Sequence, residues 1–340
     1  MNLIDEIRIP ILGNHVTIVS TRRRLRPKER KESVDKCPFC PGNEELTPPA
    51  TLALVRIGNR FEFCRESRSG ECSPWIVRII PNKYPALDPN PPTPTARNAL
   101  KARGFHEVVV ESCKHVHDPH ELSDEEYALS LYTTMTRMRD LLSIEWIKYV
   151  ALIKNRGLGA GASIRHSHSQ IFASPYVPPR VAEEVKQLID LGTCPLCSYV
   201  EDEYLRNRYL VYESKSFALL VNDAPRASYE VLIVPKKHES RPSPNLEILR
   251  ELAHVMRIVT KFFVEVLRTE SYNMWFHVAP KGVEDFHWHI EAMPRLGIWG
   301  GYELSSDVYI VEVSPEEVAE KMRSFVSSLE REAVDSSEPL

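Results

Sequence analysis

No apolar run in this 340-residue chain approaches the roughly 20 residues needed to cross a bilayer. There is no excess of positive charge either: 43 Lys and Arg against 47 Asp and Glu give a formal net charge of −4. A chain with no general basic field is a poor match for a phosphate backbone, so nucleic acid is not an expected partner. The local run Arg22-Arg23-Arg24 with Arg26 is the exception to that balance. The opening MNLIDEIRIP lacks the charged-then-apolar order of a secretory signal. These absences predict a cytoplasmic protein with no membrane partner. Glycine is sparse, at 13 residues. Its densest run, GLGAG, feeds a strand-like pattern, whereas a dinucleotide fingerprint opens a helix.

Cysteine is scarce and odd in number, at seven. Four of the seven form two C-x-x-C pairs, Cys37/Cys40 and Cys194/Cys197, while Cys64, Cys72 and Cys113 are scattered. In a reducing compartment such pairs point to metal or redox chemistry more often than to structural disulfides. The redox form needs a following helix in a βαβ unit. After the first pair, PGNEE reads as a turn. A zinc knuckle is therefore expected at each pair.

The length suffices for one large or two ordinary domains, and an internal repeat favours two. Each half runs in the same order: C-x-x-C, a strand ending in Lys-His, a helix, a strand, then a strand carrying H-x-H. FHEVVVESCKH (105–115) and SYEVLIVPKKH (228–238) align without gaps. His115 lies 51 positions before His166, and His238 lies 49 before His287. Duplicated modules follow, one over 1–178 and a degenerate copy over 179–340. The elements read from the pattern include strands over 14–20, 75–80, 107–111, 149–153, 217–221, 229–234, 272–278 and 286–293. Helices are expected after Ser123 with its capping-box Glu126, over 246–267, and from Ser314-Pro315 onward, ahead of a frayed tail at 334–340.

The repeat sorts the histidines. Two cysteines and two histidines make a closed tetrahedral zinc set. The sets are Cys37, Cys40, His115 and His166, and Cys194, Cys197, His238 and His287, predicting two zinc ions per chain. The stretch GLGAGASIRHSHSQIFA (157–173) then becomes the centre of the chain. In a strand, residues two apart share a face, so His166, His168 and Gln170 line one side. With His166 taken by metal, His168 is left free beside glycines whose backbone N–H groups can approach a phosphate. An imidazole is unprotonated and nucleophilic near neutral pH. Gln170 can donate to a phosphoryl oxygen without adding charge. In the second half His289 is followed two positions on by Glu291, which repels phosphate.

Together TRRRLRP, CPFC, PNKYPAL, HELS, HSHSQ, WFHVAP, HWHIEAMPR and GGYE resemble the galactose-1-phosphate uridylyltransferase family, a branch of the histidine-triad superfamily, over about residues 8–325. The resemblance implies an α+β fold of tandem histidine-triad-like modules, mainly antiparallel sheet flanked by helices, and a homodimer. It implies exchange of UMP between UDP-glucose and galactose 1-phosphate through a uridylyl-histidine. Carried onto this chain, it makes His168 the nucleophile, Gln170 its phosphate partner and Ser163 a phosphoryl contact. Asn155, Arg23 and Arg26 fall on nucleotide-side positions, and Asn82 on the substrate-binding Asn of the strand-end turn. Tyr302 and Glu303 fall on residues that hold the hexose phosphate in the neighbouring subunit's site. Where the family has N-P-H-P-H-G-Q, this chain reads I-R-H-S-H-S-Q, and Arg165 is equally placed to touch phosphate or to lie outward in a salt bridge. Some members place a second metal on positions corresponding to Glu184, His277, His287 and His289. The second C-x-x-C also resembles ADP-glucose phosphorylase relatives, which makes an ADP-sugar phosphorylase or adenylyltransferase the alternative.

Overall fold

Side chains two apart share a face of a strand, so each apolar alternation in the sequence calls for a partner layer on one side. A computed structural model describes residues 4–11, 13–26 and 37–335, with side chains through 332. Its strands are β1 (Asp5–Arg8), β2 (Thr17–Ser20), β3 (Leu52–Ile57), β4 (Arg60–Cys64), β5 (Trp75–Pro81), β6 (Ala99–Lys101), β7 (Phe105–Val110), β8 (Tyr149–Arg156), β9 (His168–Ser174), β10 (Leu210–Glu213), β11 (Phe217–Val221), β12 (Val231–Pro235), β13 (Tyr272–His277) and β14 (His289–Pro294). Its helices are α1 (Asp124–Ser143), α2 (Pro179–Leu191), α3 (Pro195–Glu201), α4 (Glu203–Tyr209), α5 (Leu246–Lys261), α6 (Gly301–Ser306) and α7 (Pro315–Asp335). The fold is α+β, as anticipated.

Eleven strands make one antiparallel sheet, in the order β10-β11-β12-β14-β13-β8-β9-β7-β5-β3-β4, and β2-β1-β6 make a small second one. The large sheet reads outward from a seam where β8 and β13 pair antiparallel, Leu152 opposite Phe276 and Arg156 opposite Tyr272. From that seam one side runs β9, β7, β5, β3 and the other β14, β12, β11, β10. Equivalent strands of the sequence repeat thus occupy equivalent places.

The two faces of the sheet differ. Val109, Ile171, Ile233 and Ile290 point to one side, where they pack with Met135 of α1, Met256 of α5 and Met322 of α7 in a continuous core. On the other side Val108 and Val110 meet Phe39 and the first cysteine pair, while Leu232 and Val234 meet Tyr199 and Val200 of α3. Each such fully buried aliphatic contributes about 1.5–3 kcal/mol. Helices α1, α5 and α7 therefore hold the sheet from behind, and the functional side chains lie on the opposite face.

Several elements differ in detail from the sequence pattern. The strand expected at 14–20 is confined to Thr17–Ser20. Both H-x-H strands start at their second histidine, because the first turns out of the ladder toward the cysteines. The second cysteine pair opens a helix, with Cys194 as its N-cap. The expected 246–267 helix ends at Lys261 and continues as a wider π-turn over Phe262–Val266. The Ser123–Glu126 capping box is formed, with Ser123 Oγ accepting from the Glu126 N–H at 3.2 Å. Cys64 and Cys72, read as scattered, are disulfide-bonded to each other. Residues 27–36 of the basic segment and the end of the tail at 336–340 lie outside the described residues. Among those that are described, no helix is long and apolar enough to cross a membrane.

Candidate active site

His168 begins β9 opposite Val110, and Gln170 faces Val108. The His168 Nδ1–H donates to the His166 carbonyl at 2.8 Å, which leaves the Nε2 lone pair as its reactive end. Burial holds its imidazolium well below the ordinary range, so the ring is neutral. The side chain stands where two cavities meet. The larger, about 220 Å³, is lined by Asn155, the Gly157–Gly159 turn, Ser163, Arg165 and His168. The smaller, about 100 Å³, has Phe39, Pro48, Ile80 and Ile164 as apolar walls, with Arg26, Lys83, Asn82 and Gln170 among its polar groups. Gly157 is required here: its φ is +78°, and a Cβ would lie 1.9 Å from the Glu270 carbonyl oxygen. The arrangement joins a polar, glycine-edged chamber to a flat apolar slot across one unprotonated imidazole nitrogen.

Behind His168 the ligand atoms of Cys37, Cys40, His115 and His166 lie within 4.8 Å of one another. His166 Nδ1 is 3.6 Å from both sulfurs, and His115 Nδ1 is 3.1 Å from Cys40 Sγ. The His166 Nε2–H donates to the Ser112 carbonyl at 2.8 Å, so its lone pair is aimed at the cysteines. That outer hydrogen bond is the arrangement a metal-ligating histidine needs. The donor set fits zinc.

Cys194, Cys197, His238 and His287 converge in the same way in the other half. His287 Nδ1 is 3.4 Å from Cys194 Sγ, and its Nε2–H donates to the Pro235 carbonyl at 2.8 Å. Ser112 and Pro235 are equivalent positions of the aligned segments. A third group, Glu184, His277, His289 and Glu291, also converges. It differs from the alternative set Glu184, His277, His287 and His289: His287 belongs to the cysteine group, and Glu291 takes the fourth place. Burial alone lowers the His277 pKa, but the Glu184 carboxylate at 2.8 Å outweighs it and the net shift is upward. Arg180 and Arg226 both donate to Glu291, and Arg226 also pairs with Glu230. Glu291, at the position of Gln170, is thus held in an internal ion network, and with His289 it lines a cavity of about 260 Å³.

Most of the expected substrate residues gather near His168. Arg26 reaches the Gly161 carbonyl at 2.8 Å and Ser163 Oγ at 3.4 Å. Arg23 donates to the Tyr84 carbonyl at 2.8 Å, behind the smaller cavity. The Asn155 side-chain oxygen accepts from Asn273 at 2.7 Å. Arg165 is exposed along the larger cavity and pairs with no carboxylate among the described residues. Tyr302 and Glu303 line neither of the two His168 cavities. Tyr302 is exposed on α6, and Glu303 caps the Gly300 N–H at 2.9 Å.

Sequence reasoning missed two groups. A buried pair, Lys154 and Glu111 at 2.7 Å, lies beneath the His168 strand. Glu111 accepts from Ser167 Oγ at 2.6 Å and from Ser169 Oγ, and Lys154 Nζ reaches the His168 carbonyl at 3.3 Å. The serines that replace proline and glycine of the family pattern were the available signal. The second is His106, buried against Gln170, for which the sequence carried no signal beyond its place in the aligned segment.

Residues 103–337 match the family model described as a domain of unknown function, DUF4921. The chain is 30% identical to an ADP-glucose phosphorylase of Arabidopsis thaliana over 95% of its own length and 93% of the relative's. It is equally 30% identical to a galactose-1-phosphate uridylyltransferase of Thermotoga maritima, over 94% and 98%. The solved structure of a uridylyltransferase superposes with a TM-score of 0.77 at 27% identity, covering 95% of this chain and 99% of that one. On this evidence the chain belongs to the DUF4921 family, a galactose-1-phosphate uridylyltransferase-like family of the histidine-triad superfamily.

Proposed function

We propose that this protein is a nucleotidyltransferase that works through a covalent nucleotidyl-His168 intermediate. The observation that carries the reading is the His168 Nδ1–H bond to the His166 carbonyl, which turns an unprotonated Nε2 into the junction of the two cavities. The apolar slot suits a base and ribose; the polar chamber suits the sugar phosphate. Nε2 attacks the α-phosphorus of a nucleoside-diphosphate sugar, forming an N–P bond as the P–O bond to the departing hexose 1-phosphate breaks. Ser163, Gln170 and backbone N–H groups of the glycine turn take the charge that builds on the phosphoryl oxygens. An acceptor phosphate then attacks the same phosphorus and frees His168.

The finer reading is exchange of UMP between UDP-glucose and galactose 1-phosphate. A second reading, phosphorolysis of an ADP-sugar, is supported by the equal identity to the Arabidopsis ADP-glucose phosphorylase. The modules are 1–178, catalytic, and 179–340, a degenerate copy whose Glu291 is neutralised by Arg180 and Arg226. Two zinc ions per chain suit the two cysteine–histidine groups. Zinc bound there stiffens the knuckle that holds His166, and with it the start of the His168 strand. A homodimer in which Tyr302 and Glu303 complete the neighbour's site is supported by their absence from the lining of both His168 cavities and by the exposed Ile298, Leu304 and Ile310 around α6.

The test is single-turnover labelling. Enzyme given base-labelled UDP-glucose or ADP-glucose without acceptor should release glucose 1-phosphate and keep acid-labile, alkali-stable label, which His168→Ala abolishes. The nucleotide retained and the acceptor that discharges it, galactose 1-phosphate or inorganic phosphate, separate the two readings. Release of hexose 1-phosphate with no retained label reduces His168 to a general base and overturns the proposal.

A further inference from the structure

His106 lies in β7 with 3% of its surface exposed, and its ring stacks on Phe172 at a centroid distance of 4.0 Å. Three polar groups surround it. The Ala86 backbone N–H approaches Nδ1 at 3.0 Å. Gln170 Oε1 lies 2.8 Å from Nε2, and Asn82 Nδ2 lies 3.1 Å from the same nitrogen. Side-chain amides can be turned end for end; a backbone N–H cannot. Ala86 is therefore the partner that decides. It can only donate, so Nδ1 must accept, and a neutral ring must carry its proton on Nε2. The ring is neutral: burial, reinforced by the charges of Arg23 and Arg26, lowers its pKa to about 3 despite the Gln170 hydrogen bond.

The consequences run outward. Nε2–H needs an acceptor, and the Gln170 carbonyl oxygen supplies it. The Gln170 amide is then fixed with its NH2 group away from His106, into the cavity that also contains His168. Asn82 is fixed independently of His106: its Oδ1 accepts from the Tyr84 backbone N–H at 2.8 Å. Its Nδ2 faces a nitrogen that is already a donor, so neither of its hydrogens is used on His106. The imidazole thus sets the Gln170 amide, and the Tyr84 backbone sets that of Asn82.

We propose that His106 is a positioning residue that locks Gln170 with its NH2 group toward the reacting phosphoryl group, so that Gln170 presents a donor rather than a carbonyl oxygen to an anionic ligand. The inference rests on the nucleotidyl-transfer reading above for its substrate, but its geometry does not depend on turnover. With the amide reversed, Gln170 would turn a carbonyl oxygen on the phosphate and repel it. Arg23 and Arg26 already supply positive charge nearby, so the neutral His106 orients without adding to it.

The experiment has two parts. In histidine-labelled wild-type protein, nitrogen NMR should find His106 with Nε2 protonated and Nδ1 bare, and the Gln170 amide protons should shift on addition of UDP or ADP. In single-turnover nucleotidylation, His106→Leu should slow transfer by about 10-fold to 100-fold, somewhat less than removal of an oxyanion donor. His106→Gln, whose amide nitrogen falls near Nε2 and can still donate, should retain most of the rate. In a Gln170→Ala background, His106→Leu should add little, because its only route to the reaction has gone. Zinc content and melting temperature of each variant separate these losses from misfolding. An Nδ1-protonated ring, Gln170 amide protons indifferent to nucleotide, or additive rate losses in the cycle overturn the proposal. If wild-type enzyme transfers nothing from either nucleotide sugar, the functional reading fails, and the NMR result alone then decides the role of His106.

Discussion

Removing the Lys154 ammonium should expose how much the His168 strand depends on charge compensation beneath it. Lys154 and Glu111 are 4% and 2% exposed, and the carboxylate holds Ser167 and Ser169 as well. Lys154→Met keeps the length of the side chain and leaves Glu111 ionised without a counter-charge. Breaking a buried pair from one side costs about 3–5 kcal/mol, whereas replacing both partners by apolar groups is often close to neutral. Glu111→Leu with Lys154→Met should therefore recover part of the loss, although Ser167 and Ser169 then lose their acceptor, at about 1 kcal/mol each. The pH dependence gives a sharper check. In the native protein burial raises the Glu111 pKa, Lys154 and the serines outweigh it, and the net shift is downward. Its stabilisation is thus present above the unfolded carboxylate pKa and lost as pH falls. In Lys154→Met only burial and the serines remain, the folded pKa rises above the unfolded value, and stability is lost as pH rises. The gap between variant and native should therefore widen from about pH 5 to about pH 8. Urea midpoints at both pH values, multiplied by the common slope, give the two differences. A loss below about 1 kcal/mol, a gap that does not change with pH, or a double variant no more stable than the single one refutes the reasoning.

Cys37→Ser should lower the zinc content measured by elemental analysis by roughly one ion per chain and destabilise the first half, since ligand binding there is folding energy. A native content of one metal or none would defeat the two-zinc reading. Gly157→Ala should destabilise by about 2 kcal/mol or more, because φ is +78° and the new Cβ meets the Glu270 carbonyl. A variant with an unchanged urea midpoint would show that the turn is not fixed by that contact. Mixing His168→Ala chains with Glu303→Ala chains should restore nucleotidyl transfer if the dimer shares its sites. Demonstrated subunit exchange with no recovery would count against sharing.

Much of this protein is legible in the residues alone because its signals are local or periodic. A C-x-x-C turn brings two sulfurs together whatever surrounds it, and a period of two puts His168 and Gln170 on one face in any strand. The repeat then carries the same reasoning to the second half, where Pro235 receives the His287 proton as Ser112 receives that of His166. What the sequence could not decide depends on register between distant strands. Glu111 and Lys154 are 43 positions apart, His106 and Gln170 are 64, and each meets only because β7, β8 and β9 lie side by side. The coexistence of the cysteine–histidine group with Glu184, His277, His289 and Glu291 is of the same kind. The Cys64–Cys72 bond, by contrast, spans only eight positions and closes the loop between β4 and β5. Local chemistry chose the groups that can hold a metal or attack a phosphorus. Only the packed sheet chose which buried neighbours fix their protons, and that follows because a proton's place is set by contacts within about 3 Å that no spacing along the chain encodes.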